Sequence, residues 1–260
     1  MALKQGQVQR AVATLLKPVL SLVTILFMLQ YSGLFSRSHK SGNSKISKSL
    51  IIASQRSSDL TWLAPAAKAG GWDVHTYITD GNPTALQPHT VPLNKGNEAM
   101  VYLTYIIDNY DNLPDVMFFH HHHSQAWHQA YPSSYELAHL KASSVLKQHY
   151  LPPRCLPGCE NVIELSGDVM PLYDLKTASR DVLITSVLKA FLDPGEKVPE
   201  KIAAPCCAQF AVSKEAVLRR RKETWEGLRT WLMETDVLSA SAGRVLEYTW
   251  HIWFGMEPVL

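Results

Sequence analysis

Residues 92–128 read PLNKGNEAMVYLTYIIDNYDNLPDVMFFHHHHSQAWH, and this stretch decides the fold. Apolar residues recur with a helical period between Ala99 and Asn109, which predicts a helix that ends before Pro114. Residues 116–119 form a wholly apolar run, typical of a strand buried on both faces. A helix that leads into a buried strand indicates an α/β fold.

Four consecutive histidines, His120 to His123, follow that strand directly. In an open α/β sheet, ligands bind outside the carboxyl ends of the strands. Because side chains alternate along extended chain, we expect His121 and His123 on one face and His120 and His122 on the other. Imidazoles suit zinc, iron or copper, so His121 and His123 are candidate ligands of a divalent metal of undetermined identity. The alternative is a histidine-rich surface turn without a ligand.

The segment before this stretch has the pattern strand, helix, strand. Residues 49–54 predict a first buried strand, 60–69 a helix and 73–79 a second strand. This order predicts a mostly parallel central sheet flanked by helices. Arg56 and Asp59 follow the first strand at its carboxyl end, where such a fold binds ligands.

The segment after this stretch predicts further helices and one more buried strand. Residues 133–148 suit one helix, 193–205 a proline-rich connector and 206–212 a short buried strand. Near the end of the chain, Glu247 and His251 are spaced to project from one face of a helix. We expect the α/β domain to cover residues 49–260.

The first 35 residues predict a membrane anchor. Residues 19–31 are apolar and uncharged, but Lys17 and Pro18 interrupt the apolar run, so its length is marginal for a span. We expect a single-pass signal anchor in the secretory pathway and a linker over residues 36–48. A cleaved signal and an amphipathic surface segment are the alternatives.

Composition narrows the class of partner. The 260-residue chain has a net charge of +2, so it lacks the strong positive charge of many nucleic-acid-binding proteins, and we expect no nucleic-acid partner. The basic run at residues 219–222 is typical of a solvated helix face. No Gly-rich dinucleotide fingerprint, phosphate-binding loop or nucleophile elbow occurs. Cys155, Cys159, Cys206 and Cys207 allow three disulfide pairings or free thiols.

Four sequence blocks together resemble a fungal family of unknown function. The blocks are residues 94–99 (NKGNEA), 102–110 with 113–115 (YLTYIIDNY and LPD), 121–128 (HxHxxxWH) and 205–213 (PCCAQFAVS). The family usually has glycine between the two motif histidines, where this chain has His122.

The order of these blocks resembles, more distantly, the layout of GT-A-type glycosyltransferases. In that fold an Asp-x-Asp motif after about the fourth strand holds a divalent metal on a nucleotide-sugar diphosphate, and here His121-x-His123 stands in its place. The resemblance implies a GT-A-like, membrane-anchored enzyme of the endoplasmic reticulum or Golgi. It would transfer a sugar from a nucleotide donor to a hydroxyl of a small-molecule or glycan acceptor.

The resemblance also implies roles for individual residues. His121 and His123 would neutralise the diphosphate, directly or through the metal, and Glu247 would be the general base, with His251 as a second catalytic group or a further ligand. Six residues would bind substrate: Arg56 and Asp59 at the base or ribose, Asn94, Lys95 and Glu98 at the sugar or phosphates, and His128.

Two other functions fit the same residues. A histidine-ligated metalloenzyme of secondary metabolism, an oxidase or cyclase, would use His121, His123 and His128. A non-catalytic membrane-anchored domain would use its histidines for structure alone.

Overall fold

The central sheet of the computed structural model has six strands in the order β3-β2-β1-β4-β8-β5. The structure describes residues 45–127, 129–153, 160–205 and 207–260. The strands are β1 Lys48–Ser54, β2 Asp73–Ile78, β3 His89–Thr90, β4 Val116–His121, β5 Tyr150–Leu151, β6 Glu160–Glu164, β7 Lys201–Pro205 and β8 Phe210–Ser213.

The first four strands of the chain are parallel to one another, and β8 runs antiparallel between β4 and β5. Strands β6 and β7 form a separate antiparallel pair. The helices are α1 Leu63–Gly70, α2 Glu98–Asp108, α3 Ser133–His139, α4 Ala142–Gln148, α5 Arg180–Phe191, α6 Lys214–Val217, α7 Lys222–Glu234 and α8 Ser239–Trp253. The prediction of a mixed α/β fold with a mostly parallel sheet flanked by helices is confirmed.

Two apolar cores lie on opposite faces of the sheet because side chains alternate along each strand. Ile51 and Phe119 contribute to the larger core, together with helices α2, α5, α7 and α8. Leu50 and Phe118, their neighbours in the chain, contribute to the smaller core with α1, α3 and α4. The buried run at residues 116–119 is therefore covered on both faces, as its composition predicts.

The chain reverses its direction of travel across the sheet at β1. It first moves outward from β1 through β2 to β3, and then α2 returns it to β4 on the opposite side of β1. Such a reversal opens a crevice at the carboxyl ends of the two central strands, which is where open α/β sheets bind ligands. In this protein those two strands are β1 and β4.

The largest differences from the sequence prediction are in three segments. The helix predicted over residues 133–148 is broken into α3 and α4, because Leu140 is extended and the Trp72 indole N–H donates to the Leu137 carbonyl at 2.8 Å. The predicted connector 193–205 ends in strand β7, which pairs with β6. The strand predicted at 206–212 begins only at Phe210.

The predicted linker ends in ordered structure: Ser47 donates its backbone N–H to the Asp115 carboxylate at 2.7 Å. The membrane segment predicted at residues 1–35 lies outside the described residues. Among the helices that are described, none has the length and apolar character needed to cross a bilayer.

Candidate functional site

A cleft of about 390 Å³ lies at the carboxyl ends of β1, β2 and β4, beside the beginning of α2. It therefore occupies the crevice that the reversal at β1 creates. Its walls combine three imidazoles, one carboxylate, three side-chain amides and two hydroxyls. The lining residues are Ala53, Ser54, Gln55, Thr79, Asn94, Asn97, Glu98, His121, His122 and His123.

The turn at residues 94–98 forms one wall of the cleft. Gly96 and Asn97 both have positive φ, 75° and 55°, so the chain turns sharply just before α2. The Gly96 N–H donates to the Ser239 hydroxyl at 2.9 Å, and the Ala99 N–H donates to the Gly96 carbonyl at 3.1 Å. Helix α8 thus holds the turn that presents Asn94, Asn97 and Glu98.

Glu98 supplies the carboxylate of the cleft. It is the first residue of α2 and is partly buried. The pKa of Glu98 is raised to about 7, chiefly by burial and also by the charge of Glu247, while a backbone hydrogen bond acts in the opposite direction. A carboxyl group with a pKa near neutrality can accept or donate a proton at physiological pH.

Glu247 does not line the cleft, although it is close enough to Glu98 for its charge to raise the pKa of that residue. Its carboxylate accepts the Cys207 N–H at 2.9 Å. Burial raises the pKa of Glu247, while the Cys207 hydrogen bond and the charge of Arg244 act the other way. The sequence placed the general base at Glu247, whereas the structure brings Glu98 to the cleft.

Cys207 is disulfide-bonded, so the four cysteines are not all free thiols. The other three cysteines lie outside the described residues.

The histidine segment is anchored by its first member. His120 is fully buried, and its Nδ1 lies 2.7 Å from the His121 carbonyl oxygen. On the other side of the ring, Nε2 lies 3.3 Å from a Glu136 carboxylate oxygen and 2.9 Å from the Gln209 amide nitrogen. Gln129 also donates to the Glu136 carboxylate, at 3.0 Å. This buried polar network fixes the end of β4.

The next three histidines all face the cleft. The rings of His121 and His123 are 6.2 Å apart, and those of His122 and His123 are 4.0 Å apart. Burial lowers the pKa of His122, and the charge of His123 lowers it further. The expectation that His122 shares a face with His120 is wrong, because β4 ends at His121 and strand alternation ends with it. The indole of Trp62 donates to the His122 carbonyl at 2.9 Å and holds the turn.

Three of the predicted substrate-binding residues do not line the cleft. Arg56 and Asp59 are exposed; the Arg56 N–H donates to Asp80 at 2.7 Å, and Asp59 accepts from Thr61. The Lys95 ammonium donates to the carbonyls of Met233, at 3.2 Å, and Thr235, at the carboxyl end of α7. Lys95 therefore caps a helix.

Predicted His251 does not reach the cleft either. It is fully buried in α8, and its Nε2 lies 3.0 Å from the Pro258 carbonyl oxygen. Burial lowers the pKa of His251, in keeping with a neutral ring in the core. His128 lies outside the described residues.

The fit of the site to a divalent metal rests on two predicted ligands, His121 and His123, which both line the cleft. In the part of the chain that the structure describes, no group of three or more His, Cys, Asp or Glu side chains is arranged to hold a metal ion. A metal at these two histidines therefore stays a prediction.

The lining also contains residues that sequence reasoning missed. Ser54 is the last residue of β1, and Thr79 directly follows β2. The rule that ligands bind at the carboxyl ends of strands would have found both residues. Asn97 follows Gly96 and also adopts a positive φ, and the Gly-Asn pair in the sequence was a signal for a tight turn.

Comparison with known proteins identifies a family but no activity. The family model described as "Protein of unknown function (DUF3431)" matches residues 50–260. No curated protein and no solved structure matches the chain. The resemblance to a domain of unknown function is thereby confirmed.

Proposed function

This chain belongs to the DUF3431 family, whose function is unknown, and from the geometry of its cleft we propose that it is a GT-A-like glycosyltransferase. It would transfer a sugar from a nucleoside-diphosphate donor to a hydroxyl of a small-molecule or glycan acceptor. One observation carries the proposal: Glu98, His121 and His123 line a single cleft at the reversal point of the sheet.

The position of the cleft supports a nucleotide donor. Nucleotides bind at the reversal point of open α/β sheets, outside the carboxyl ends of the strands. The histidine motif ends the fourth strand in chain order, which is about where GT-A enzymes have their polar motif. The side-chain amides of Asn94 and Asn97, which line the cleft and are exposed, are suited to hydrogen-bond a ribose or a sugar.

The imidazoles support a role at the diphosphate. A diphosphate in the cleft would favour the protonated form of nearby imidazoles, and an imidazolium donates two hydrogen bonds. His121 and His123 would bind the phosphoryl oxygens and stabilise the charge that develops on the leaving group. A divalent metal, if these two histidines hold one, would supply further charge neutralisation.

Glu98 is the general base in this proposal. The acceptor hydroxyl oxygen forms a bond to the anomeric carbon while the bond from that carbon to the diphosphate oxygen breaks. The electron pair of the broken bond leaves with the nucleoside diphosphate, and the hydroxyl proton passes to the Glu98 carboxylate. A base with a pKa of about 7 is well matched to this transfer at neutral pH.

The disulfide at Cys207 supports a location in the secretory pathway, because structural disulfides persist in oxidising compartments. We keep the single-pass membrane anchor over residues 1–35 as part of the proposal. The α/β domain would then face the lumen of the secretory pathway.

The test uses the full chain reconstituted in lipid nanodiscs. Thermal stability is measured with a panel of nucleotide sugars, each with and without manganese, magnesium, zinc and a chelator, and release of nucleoside diphosphate is measured in parallel. A true donor raises the melting temperature by mass action. Glu98→Gln should keep donor binding but lower turnover by about 10²–10⁴-fold.

A His121→Ala, His123→Ala double variant should lose both donor binding and turnover. The matched controls are Glu257→Gln and His139→Ala, which change exposed residues that do not line the cleft. If no nucleotide sugar stabilises the protein or is hydrolysed, the proposal fails. Stoichiometric iron or copper in the purified protein would instead support the histidine-ligated metalloenzyme.

A further inference from the structure

A second cavity, of about 230 Å³, lies between α5 and α8. Within the described part of the chain it shares no lining residue with the cleft. Its volume is below the roughly 300–1,000 Å³ of sites for drug-sized ligands, so it suits a small molecule. We call it the α5–α8 pocket.

The inner wall of the α5–α8 pocket is aliphatic. Leu183, Ile184 and Val245 line it and are all buried. Val237 continues the same surface. Such a wall favours an apolar ligand body, since each buried CH₂ group contributes about 0.8 kcal/mol.

The rim of the pocket is cationic. Lys176, Arg180 and Arg244 line it and are exposed at their outer ends. The Arg180 guanidinium lies 5.9 Å from the centre of the Tyr248 ring, and both residues line the pocket. Among the described residues, none of the three cations has a carboxylate within 4.0 Å.

Another cavity provides a contrast in charge. A space of about 570 Å³ beside α7 also has apolar lining residues, but its charged groups are Glu234 and Asp236. Apolar walls alone would not distinguish the two cavities. Their opposite charges do, and only the α5–α8 pocket complements an anion.

From this arrangement we propose that the α5–α8 pocket binds a small amphiphilic anion, an apolar body with a carboxylate or phosphate head. The apolar body would rest on Leu183, Ile184 and Val245. Arg180 and Arg244 would bind the head, because the planar guanidinium fork matches both carboxylate and phosphate oxygens. This site is independent of the proposed glycosyl transfer.

Isothermal titration calorimetry on the full chain in nanodiscs tests the proposal with three probes. 3-Phenylpropionate and phenyl phosphate carry the two candidate heads, and 3-phenylpropanamide is the neutral analogue. We expect at least one anion to bind at least tenfold more tightly than the amide, because a charge-assisted hydrogen bond is stronger than a neutral one. The stronger of the two anions identifies the head.

Variants assign the binding to this pocket. Arg244→Gln and Arg180→Gln should each weaken anion binding about tenfold, while Lys189→Gln, an exposed cation farther along α5 that does not line the pocket, should leave it unchanged. Ala178→Phe fills the pocket without changing its charge and should abolish binding.

Circular dichroism and thermal melting show whether each variant is folded. Nucleotide sugars are absent from every titration, so failure here leaves the proposed transferase untouched. The proposal is overturned if neither anion binds at millimolar concentration, if the amide binds equally well, or if the folded arginine variants bind like the original protein.

Discussion

A Cβ atom added to Gly243 would lie 2.6 Å from the carbonyl oxygen of Gly96. Helix α8 therefore packs directly on the backbone of the 94–98 turn, with no side chain between them. The same turn presents Glu98 to the cleft. This close approach links the C-terminal helix to the position of the candidate base.

Gly243→Ala tests that link. Because the obstacle is backbone, the methyl group must push α8 and the turn apart, and we expect a loss of about 1–3 kcal/mol in the free energy of unfolding, as for an overpacked core. Donor binding in the cleft should weaken as well. Urea denaturation and donor titration measure the two effects.

Gly167→Ala is the control for this variant, because nothing lies within 4 Å of the Cβ that it adds. A Gly243→Ala protein with unchanged stability and donor binding would contradict the link.

The raised pKa of Glu98 predicts that the difference in stability between Glu98→Gln and the original protein depends on pH. Its pKa is about 7 in the folded protein, against an ordinary 4.5, so the folded state holds the proton more tightly than the unfolded state does. This contribution to stability is fully present below pH 4.5 and is lost as the pH rises to about 7. Glu98→Gln cannot ionise, so its advantage over the original protein should grow across that window and then level off, at no more than ~3 kcal/mol.

Urea denaturation of both proteins at several pH values from 4 to 8 measures this difference. A difference that stays constant across the series would show that the folded-state pKa of Glu98 is not raised.

Lys95 predicts a loss of stability without a loss of donor binding. Its ammonium binds carbonyl groups at the carboxyl end of α7. Lys95→Met keeps most of the aliphatic stem but leaves those carbonyls without their cation, so we expect a loss of about 1 kcal/mol. Lys147→Met, at an exposed position, should be neutral. Reduced nucleotide-sugar affinity at unchanged stability would favour the phosphate-binding role expected from the sequence.

The buried pair of His120 and Glu136 predicts a larger effect. Their side chains are 0% and 9% exposed, so water cannot replace a lost partner. Glu136→Ala should lower the free energy of unfolding by about 1–3 kcal/mol, because it leaves buried hydrogen-bonding groups without a partner, and Glu136→Gln by less because it keeps hydrogen-bonding groups. Equilibrium denaturation is the measurement, with exposed Glu257→Ala as the control. A Glu136→Ala effect below about 0.5 kcal/mol, the size expected at an ordinary surface site, would contradict a structural role for the pair.

Periodicity in the sequence was enough for the main elements of the fold. The apolar run at 116–119 identified β4, and the helical pattern before it identified α2. A strand buried on both faces has a continuous apolar sequence, and a helix buried on one face has apolar residues at a helical period. The carboxyl-end rule then located the cleft, with His121 and His123 in it.

The local sequence pattern did not predict which individual side chains line the cleft. Lys95 and Asn94 are adjacent in the same turn, yet one caps α7 and the other lines the cleft. Glu247 and His251 are spaced to project from one face of α8, as a pair of site residues would be, but neither of them lines the cleft. These outcomes depend on backbone angles at Gly96 and Asn97 and on the packing of α8, which no short window of sequence reports.

The sequence by itself determined the α/β class, the buried strand β4 and the edge of the sheet at which its histidines emerge. The tertiary structure alone decided that Glu98, and not Glu247, supplies the carboxylate of the cleft, and that Lys95 and His251 lie elsewhere. The physical reason is one of range. Hydrophobic burial imposes a period on neighbouring residues, whereas the direction of a side chain at a turn is decided by contacts with helices more than a hundred residues away.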